Sequence, residues 1–263
     1  MISKFIGLSG MIRAGATLLS SILDQNPAIH AEGNSAVCQL MWDMQQSCYG
    51  AANEQLNGAY RLHTTDDLVA SIPNVYYKDI SASIVMDKCR TWTLHANMEM
   101  LKRYFKNPPK VIVLERPIID VIKSLVAQKQ RSGNSTFEML ENFTKGVDKW
   151  LMPPLTGINW ARQNNNGEFL FIKYDDLVDN PQDVLDSIYS FCELEPFKHD
   201  LTSIKNNHPD NDELFFKNVG LHDVRPTIRR RKIDVELSDA VIYRCAVLQQ
   251  SILESSNSHL RLL

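Results

Sequence analysis

A chain of 263 residues, 44% of them hydrophobic, can bury a core and is too apolar for global disorder. Its formal charge of -3 excludes a nucleic-acid binder that works through a general basic surface, so any anion site has to be local. Five scattered cysteines, with no C-x-x-C and no Cys/His pair at zinc-ligand spacing, read as reduced thiols and suggest no metal site.

In chain order, "KFIGL" near the start reads as a buried strand. It begins too close to Met1 to leave room for a secretion signal, and no run approaches a membrane span, so a cytoplasmic protein with no membrane contact is expected. Leu18, Leu19, Ile22 and Leu23 then share one helical face. Residues 43–75 are polar and take no assignment. "KVIVLE", Lys110 to Glu115, is a second strand, followed by a helix with Ile119, Ile122, Leu125 and Val126 on one side. "STFEMLENFTKGVDKWL" reads as one helix, with Ser135 and Glu138 at capping-box spacing.

"EFLFIKY", Glu168 to Tyr174, is a third strand, and the helix after it opens with Asn180 as N-cap and Pro181 at its first position. A last helix covers "ELSDAVIYRCAVLQQSIL", with Leu237, Val241, Cys245 and Leu248 on one face. Without repeats or a long linker, residues 1–263 read as one domain. Strands alternating with helices predict an α/β three-layer sandwich whose central, mainly parallel sheet is flanked by helices. Its ligands should bind beyond the carboxyl ends of the strands.

"GMIRAGATLL", Gly10 to Leu19, joins the first strand to the first helix. Its glycines have the spacing of the phosphate-binding pattern G-x-x-x-x-G-K-[ST] and Thr17 stands at the hydroxyl position, but Ala16 replaces the lysine. Backbone N–H groups and the helix dipole converge there, and Arg13 adds a positive charge. A tight turn with glycines kept only for close packing is the alternative. In "LERPIIDVIKSL", Arg116 follows the second strand and Ser124 lies on the next helix, a pair suited to a phosphate. Pairing of Arg116 with Glu115 or Asp120 is the alternative there.

Together these elements resemble the sulfotransferases that use 3'-phosphoadenosine 5'-phosphosulfate (PAPS), in their bacterial and protein-tyrosine branches. "IRAGATLL" is similar to P-R-S-G-T-T-L-L, and "RPIIDVIKS" to R-x-P-x-x-x-[VI]-x-x-S. "LDQNPAIHAEGN", "DKCRTW", "FIKYDDLVDNP" and "GLHDVRPTI" resemble further family segments in the right order. The resemblance implies a P-loop-like fold and sulfuryl transfer from PAPS to an acceptor hydroxyl (sugar, tyrosine or other alcohol), leaving the bisphosphate PAP. It implies that Arg13, Ala14, Gly15, Ala16, Thr17 and Leu18 line the 5'-phosphosulfate loop and that Arg116 and Ser124 hold the 3'-phosphate. Tyr174 would lie near the adenine, and Arg225 with Arg229 to Arg231 would close over the 3'-phosphate. Ile12, Ala14 and Ala16 depart from the family's proline and hydroxyl residues.

A phosphosulfate carries less charge than a triphosphate, so N–H groups and an arginine suffice and no Mg²⁺ is expected. A cation must face the leaving oxygen, and Lys88 matches the family's lysine for this task. The acceptor must lose a proton. "HAEGN" offers Glu32, expected as the base, and His30; an ungapped alignment puts the family's acidic positions on Gly33 and Asn34, so a loop shift is required. His222 is the reserve. A P-loop small-molecule kinase and a catalytically inactive nucleotide-binding protein are the competing readings. No pattern indicates the oligomeric state.

Overall fold

Every residue from Ile6 to Gly10 is buried, as is every residue from Val111 to Glu115. Side chains alternate between the two faces of a strand, so an unbroken buried run requires cover on both faces. The computed structural model, which describes residues 2–107, 109–216, 220–230 and 232–257, has this arrangement. Chain order is β1 (Lys4–Gly10), α1 (Ala16–Leu23), β2 (Ile29–Ala31), α2 (Val37–Tyr49), α3 (Asn53–Gly58), α4 (Thr65–Tyr76), β3 (Ile84–Lys88), α5 (His95–Tyr104) and β4 (Val111–Glu115). It continues with α6 (Ile118–Arg131), α7 (Phe137–Lys145), α8 (Met152–Gln163), β5 (Phe169–Lys173), α9 (Tyr174–Asp179), α10 (Pro181–Phe191), α11 (Asp212–Phe216) and α12 (Asp239–Asn257).

The sheet has the order β2-β3-β1-β4-β5, and all four pairings are parallel. The expected α/β sandwich with its parallel sheet between helices is therefore present. Parallel strands put all their carboxyl ends on one edge. Lys88 ends β3, Arg116 follows β4 and Tyr174 follows β5, so residues far apart in sequence reach the same edge. Chain direction switches at β1, whose neighbours are β3 and β4, and such a switch opens a crevice at the carboxyl edge.

Two of these strands carry no clear signal in the sequence. β2 is only three residues long, and β3 reads "IVMDK", where two charged residues hide a buried strand. Asp87 is fully buried because its carboxylate accepts hydrogen bonds from Ser35 Oγ (2.5 Å), Tyr77 OH (2.8 Å) and Trp92 Nε1 (2.8 Å). The unassigned stretch 43–75 is largely helical, packing α2 against α4.

Three local expectations are corrected. The helix expected through Leu151 stops at Lys145, because Gly146 takes the left-handed conformation (φ 72°) that ends helices. The capping box does not form: Thr136 is the N-cap, and Ser135 Oγ instead accepts from the Phe137 N–H at 3.2 Å. Leu237 precedes α12, whose buried face is Val241, Cys245, Leu248 and Ile252. Pro181 does open α10, although the Asn180 side chain makes no capping bond. All five cysteines are free thiols. Among the described residues no helix is long and apolar enough to cross a membrane.

Candidate active site

The turn after β1 is shaped by two glycines. Gly10 lies against β4 so closely that a Cβ would stand 2.2 Å from Leu114 O, and Gly15 has φ 92° with the Tyr174 ring 3.0 Å from where its Cβ would be. Arg13 between them also has positive φ (61°), a strained conformation for a residue with a side chain and one that recurs at functional sites. The N–H groups of Ala16, Thr17 and Leu18 in the first turn of α1 have no acceptor within the helix, and they carry the positive end of its dipole.

A cavity of about 630 Å³ opens over this turn. Of the residues singled out in the sequence, Arg13, Gly15, Ala16, Thr17, Leu18, Lys88, Arg116, Ser124, Tyr174 and Arg225 line it. Arg229 lines it too, whereas Arg230 turns away to pair with Asp175 and Asp179, and Arg231 lies outside the described residues. Ala14 is buried beneath the loop and is not part of the wall.

Arg116 lines the cavity beside this turn. Its Nη1 donates to Arg13 O at 2.9 Å, and its guanidinium lies 4.2 Å over the Tyr174 ring. Its Nε is buried without an acceptor, and no carboxylate pairs with it among the described residues. Glu115, the alternative partner, is taken by Arg162. Arg13 Nε donates to Ser124 Oγ at 3.1 Å and its Nη1 to Leu221 O, so one side chain ties the loop to α6 and to the segment after α11. Tyr174 acts on this side as a platform for Arg116 and a backstop for Gly15.

Lys88 faces the cavity from the end of β3 and is nearly buried. Burial lowers its pKa to about 8; Asp210 opposes that shift, while Arg90 and Arg13 add to it. Arg90, two residues on, also lines the cavity, and burial lowers its pKa as well. Arg90 lies inside the quoted "DKCRTW", but nothing in that segment marks which of its residues reach the cavity.

His222 lies on the same wall. Asp212 accepts from both its backbone N–H (2.8 Å) and its Nδ1, and Asp210 Oδ2 is 3.4 Å from Nδ1. Burial, and then the Lys88 charge, lower its pKa below the usual histidine value. A carboxylate on Nδ1 holds the proton there and makes Nε2 the basic nitrogen. Glu32, expected as the base, is placed differently. It stands outside the cavity wall, with His30 Nε2 at 3.3 Å and Tyr77 OH at 3.4 Å, and the wall position near it belongs to the amide Asn34.

Residues 6–199 match the protein-family model described as "Sulfotransferase family". A mouse (Mus musculus) protein, Sulfotransferase 2B1, is 32% identical over 126 residues, which make up 44% of this chain and 36% of that protein; the chain thus spans about a third of its relative. The fold is similar to that of the sulfotransferase domain from the curacin biosynthetic pathway (18% identity, 94% of this chain and 98% of that one, TM-score 0.53). It is also similar to the domain from the Synechococcus PCC 7002 olefin synthase (17%, 94% and 94%, 0.54) and to a sulfotransferase from Alicyclobacillus acidocaldarius (10%, 99% and 96%, 0.56). With a family model covering most of its length, the chain belongs to the sulfotransferase family.

Proposed function

We propose that the protein transfers a sulfuryl group from PAPS to an acceptor hydroxyl, with no metal in the transfer step. The observation that carries this reading is the place of Arg116, without a carboxylate partner among the described residues, on the wall of the cavity that the first turn of α1 also faces. A phosphate in the cavity would give that guanidinium a charged acceptor, and a hydrogen bond to a charged group is worth about 1.5–3 kcal/mol. Two anion-seeking features in one cavity suit a nucleotide with phosphates at both its 3' and 5' positions.

In this reading Arg116 and Ser124 hold the 3'-phosphate, and the N–H groups of Ala16, Thr17 and Leu18 hold the 5'-phosphosulfate. The S–O bond to the phosphate breaks as a new S–O bond forms to the acceptor oxygen. Lys88 stabilises the charge growing on the leaving bridging oxygen. His222 accepts the acceptor's proton at Nε2, a role supported by its place on the wall and its bond to Asp212, so it replaces Glu32 as base. The kinase reading is disfavoured by the family match and by Ala16.

Transfer of label from sulfur-labelled PAPS to a panel of phenols, sugars and aliphatic alcohols tests the reading. Turnover of at least one acceptor is expected in EDTA. His222→Ala and Lys88→Ala are each expected to lower it by about 10² or more, with PAP affinity nearly unchanged and Glu32→Gln close to wild type. PAP binding without transfer to any acceptor would favour the inactive nucleotide-binding reading. Loss of turnover in Glu32→Gln but not in His222→Ala would return the base to Glu32.

A further inference from the structure

Behind the cavity wall, three chain segments bring together side chains that the transfer chemistry does not use. Asp24 caps the end of α1, His30 lies in β2, and His208 lies between α10 and α11. One ligand atom from each lies within 4.8 Å of the other two. Asp24 Oδ1 and His208 Nε2 are 3.2 Å apart, and the two imidazole rings meet edge to face at 4.6 Å. His30 is buried.

Ligands about 2.0 Å from a tetrahedral ion stand about 3.3 Å from one another, so the Asp24–His208 separation is that of a tetrahedral edge. The surrounding bonds orient the donors as the outer shell of a metal site does. Asn207 Nδ2 donates to Asp24 Oδ2 at 3.0 Å, the Ala31 N–H reaches Oδ1 at 3.4 Å, and Glu32 stands beside His30, itself held by Tyr77 OH. Two imidazoles and one carboxylate select a borderline ion such as Zn²⁺ over Mg²⁺ or Ca²⁺, which take mostly oxygen ligands.

We propose that Asp24, His30 and His208 form a binding site for a zinc-class divalent ion, separate from the anion cavity, with a fourth position for water. The ion would fasten the segment that follows α10 onto the core. That segment carries Asp210, whose Oδ2 lies 2.3 Å from where a Gly33 Cβ would be, and Asp212, which holds His222. The site would thus support the wall of the cavity without contacting its ligand. No spacing in the sequence announces it, because its ligands are separated by 6 and 178 residues.

The test is zinc content. Untagged protein exposed to Zn²⁺ and then gel-filtered is expected to retain one equivalent, and Co²⁺ in its place to give the visible absorption of a four-coordinate ion. Chelation is expected to lower the Tm. His208→Ala and His30→Gln are each expected to weaken Zn²⁺ binding by about 10²-fold or more while circular dichroism reports a folded chain, and Arg116→Ala to leave it unchanged. Absence of retained zinc and of the Co²⁺ spectrum would overturn the proposal, as would equal retention by folded His208→Ala and His30→Gln. PAP titration of the same samples reports separately on the transfer reading.

Discussion

Arg116 illustrates how much one side chain decides at this edge. Its guanidinium stacks on Tyr174, bonds the Arg13 carbonyl and keeps one buried N–H without an acceptor. Arg116→Ala is expected to weaken PAP binding by about 2–4 kcal/mol, measured by calorimetry, because a charged partner is lost from a phosphate. Arg116→Lys is expected to recover part of this, since an ammonium lacks the planar fork. The pKa shifts of Lys88 and His222 predict a bell-shaped pH profile of kcat/KM. In the proposed reading His222 acts as base only when neutral, so the acid limb is expected below the ordinary histidine range, in line with the lowered value. In that reading Lys88 serves only as a cation, so the alkaline limb is expected near pH 8, where its lowered pKa lies. Lys88→Arg is expected to move that limb upward and His222→Gln to remove the acid one. A profile flat from pH 5 to 10 would leave both groups without their roles.

Elements are placed here by buried polar groups as much as by apolar faces. β3 puts Asp87 in the core, and burial raises its pKa to about 6 against the bonds from Ser35, Tyr77 and Trp92. An acid with a raised folded pKa binds its proton more tightly in the native state, so its contribution to stability falls as pH rises from about 4 to about 6. Asp87→Asn can still accept from Trp92 and donate to a hydroxyl. Relative to this variant, the wild type is expected to lose up to about 3 kcal/mol between pH 4 and pH 7 in urea denaturation. Asp87→Ala removes the carboxylate acceptor of three donors, leaving Trp92 Nε1 only the residue-87 backbone O (3.1 Å) and Tyr77 OH only Glu32 (3.4 Å), and is expected to cost about 3 kcal/mol at any pH in that range. Strands β1, β4 and β5 are legible as apolar runs, and their helices as apolar faces repeating with helical period. β3 is not legible in that way, because its Asp87 is a buried strand residue only with Ser35, Tyr77 and Trp92 bonded to it, and its Lys88 ends the strand on the cavity wall.

For the whole molecule the question is whether the loop and Arg116 act as one site. If they do, PAP is expected to raise the Tm in EDTA, and by more than AMP or ATP at equal concentration, because only PAP matches both phosphate positions. Equal shifts with AMP and PAP would remove the 3'-phosphate from the reading. Sheet order makes a single site possible. With β1 between β3 and β4, the loop after β1, Lys88 and Arg116 converge although more than a hundred residues separate the first from the last. The segment after α11 closes the cavity through Leu221 and His222.

Sequence by itself determined the local chemistry. The glycine spacing of residues 10–15, the arginine after an apolar strand and the serine on the next helix follow from short-range geometry, and each stayed legible without knowledge of its neighbours. Which of the candidate bases stands on the cavity wall was decided by tertiary structure alone. The sequence favours Glu32 as base with His222 in reserve, yet Glu32 turns toward His30 and Tyr77 while His222 is held on the wall by Asp212. The choice depends on where the long segment between α10 and α12 packs, a consequence of long-range contacts that no residue pattern encodes. The Asp24, His30 and His208 cluster has the same origin: its ligands become neighbours only when that segment lies across β2 and the end of α1.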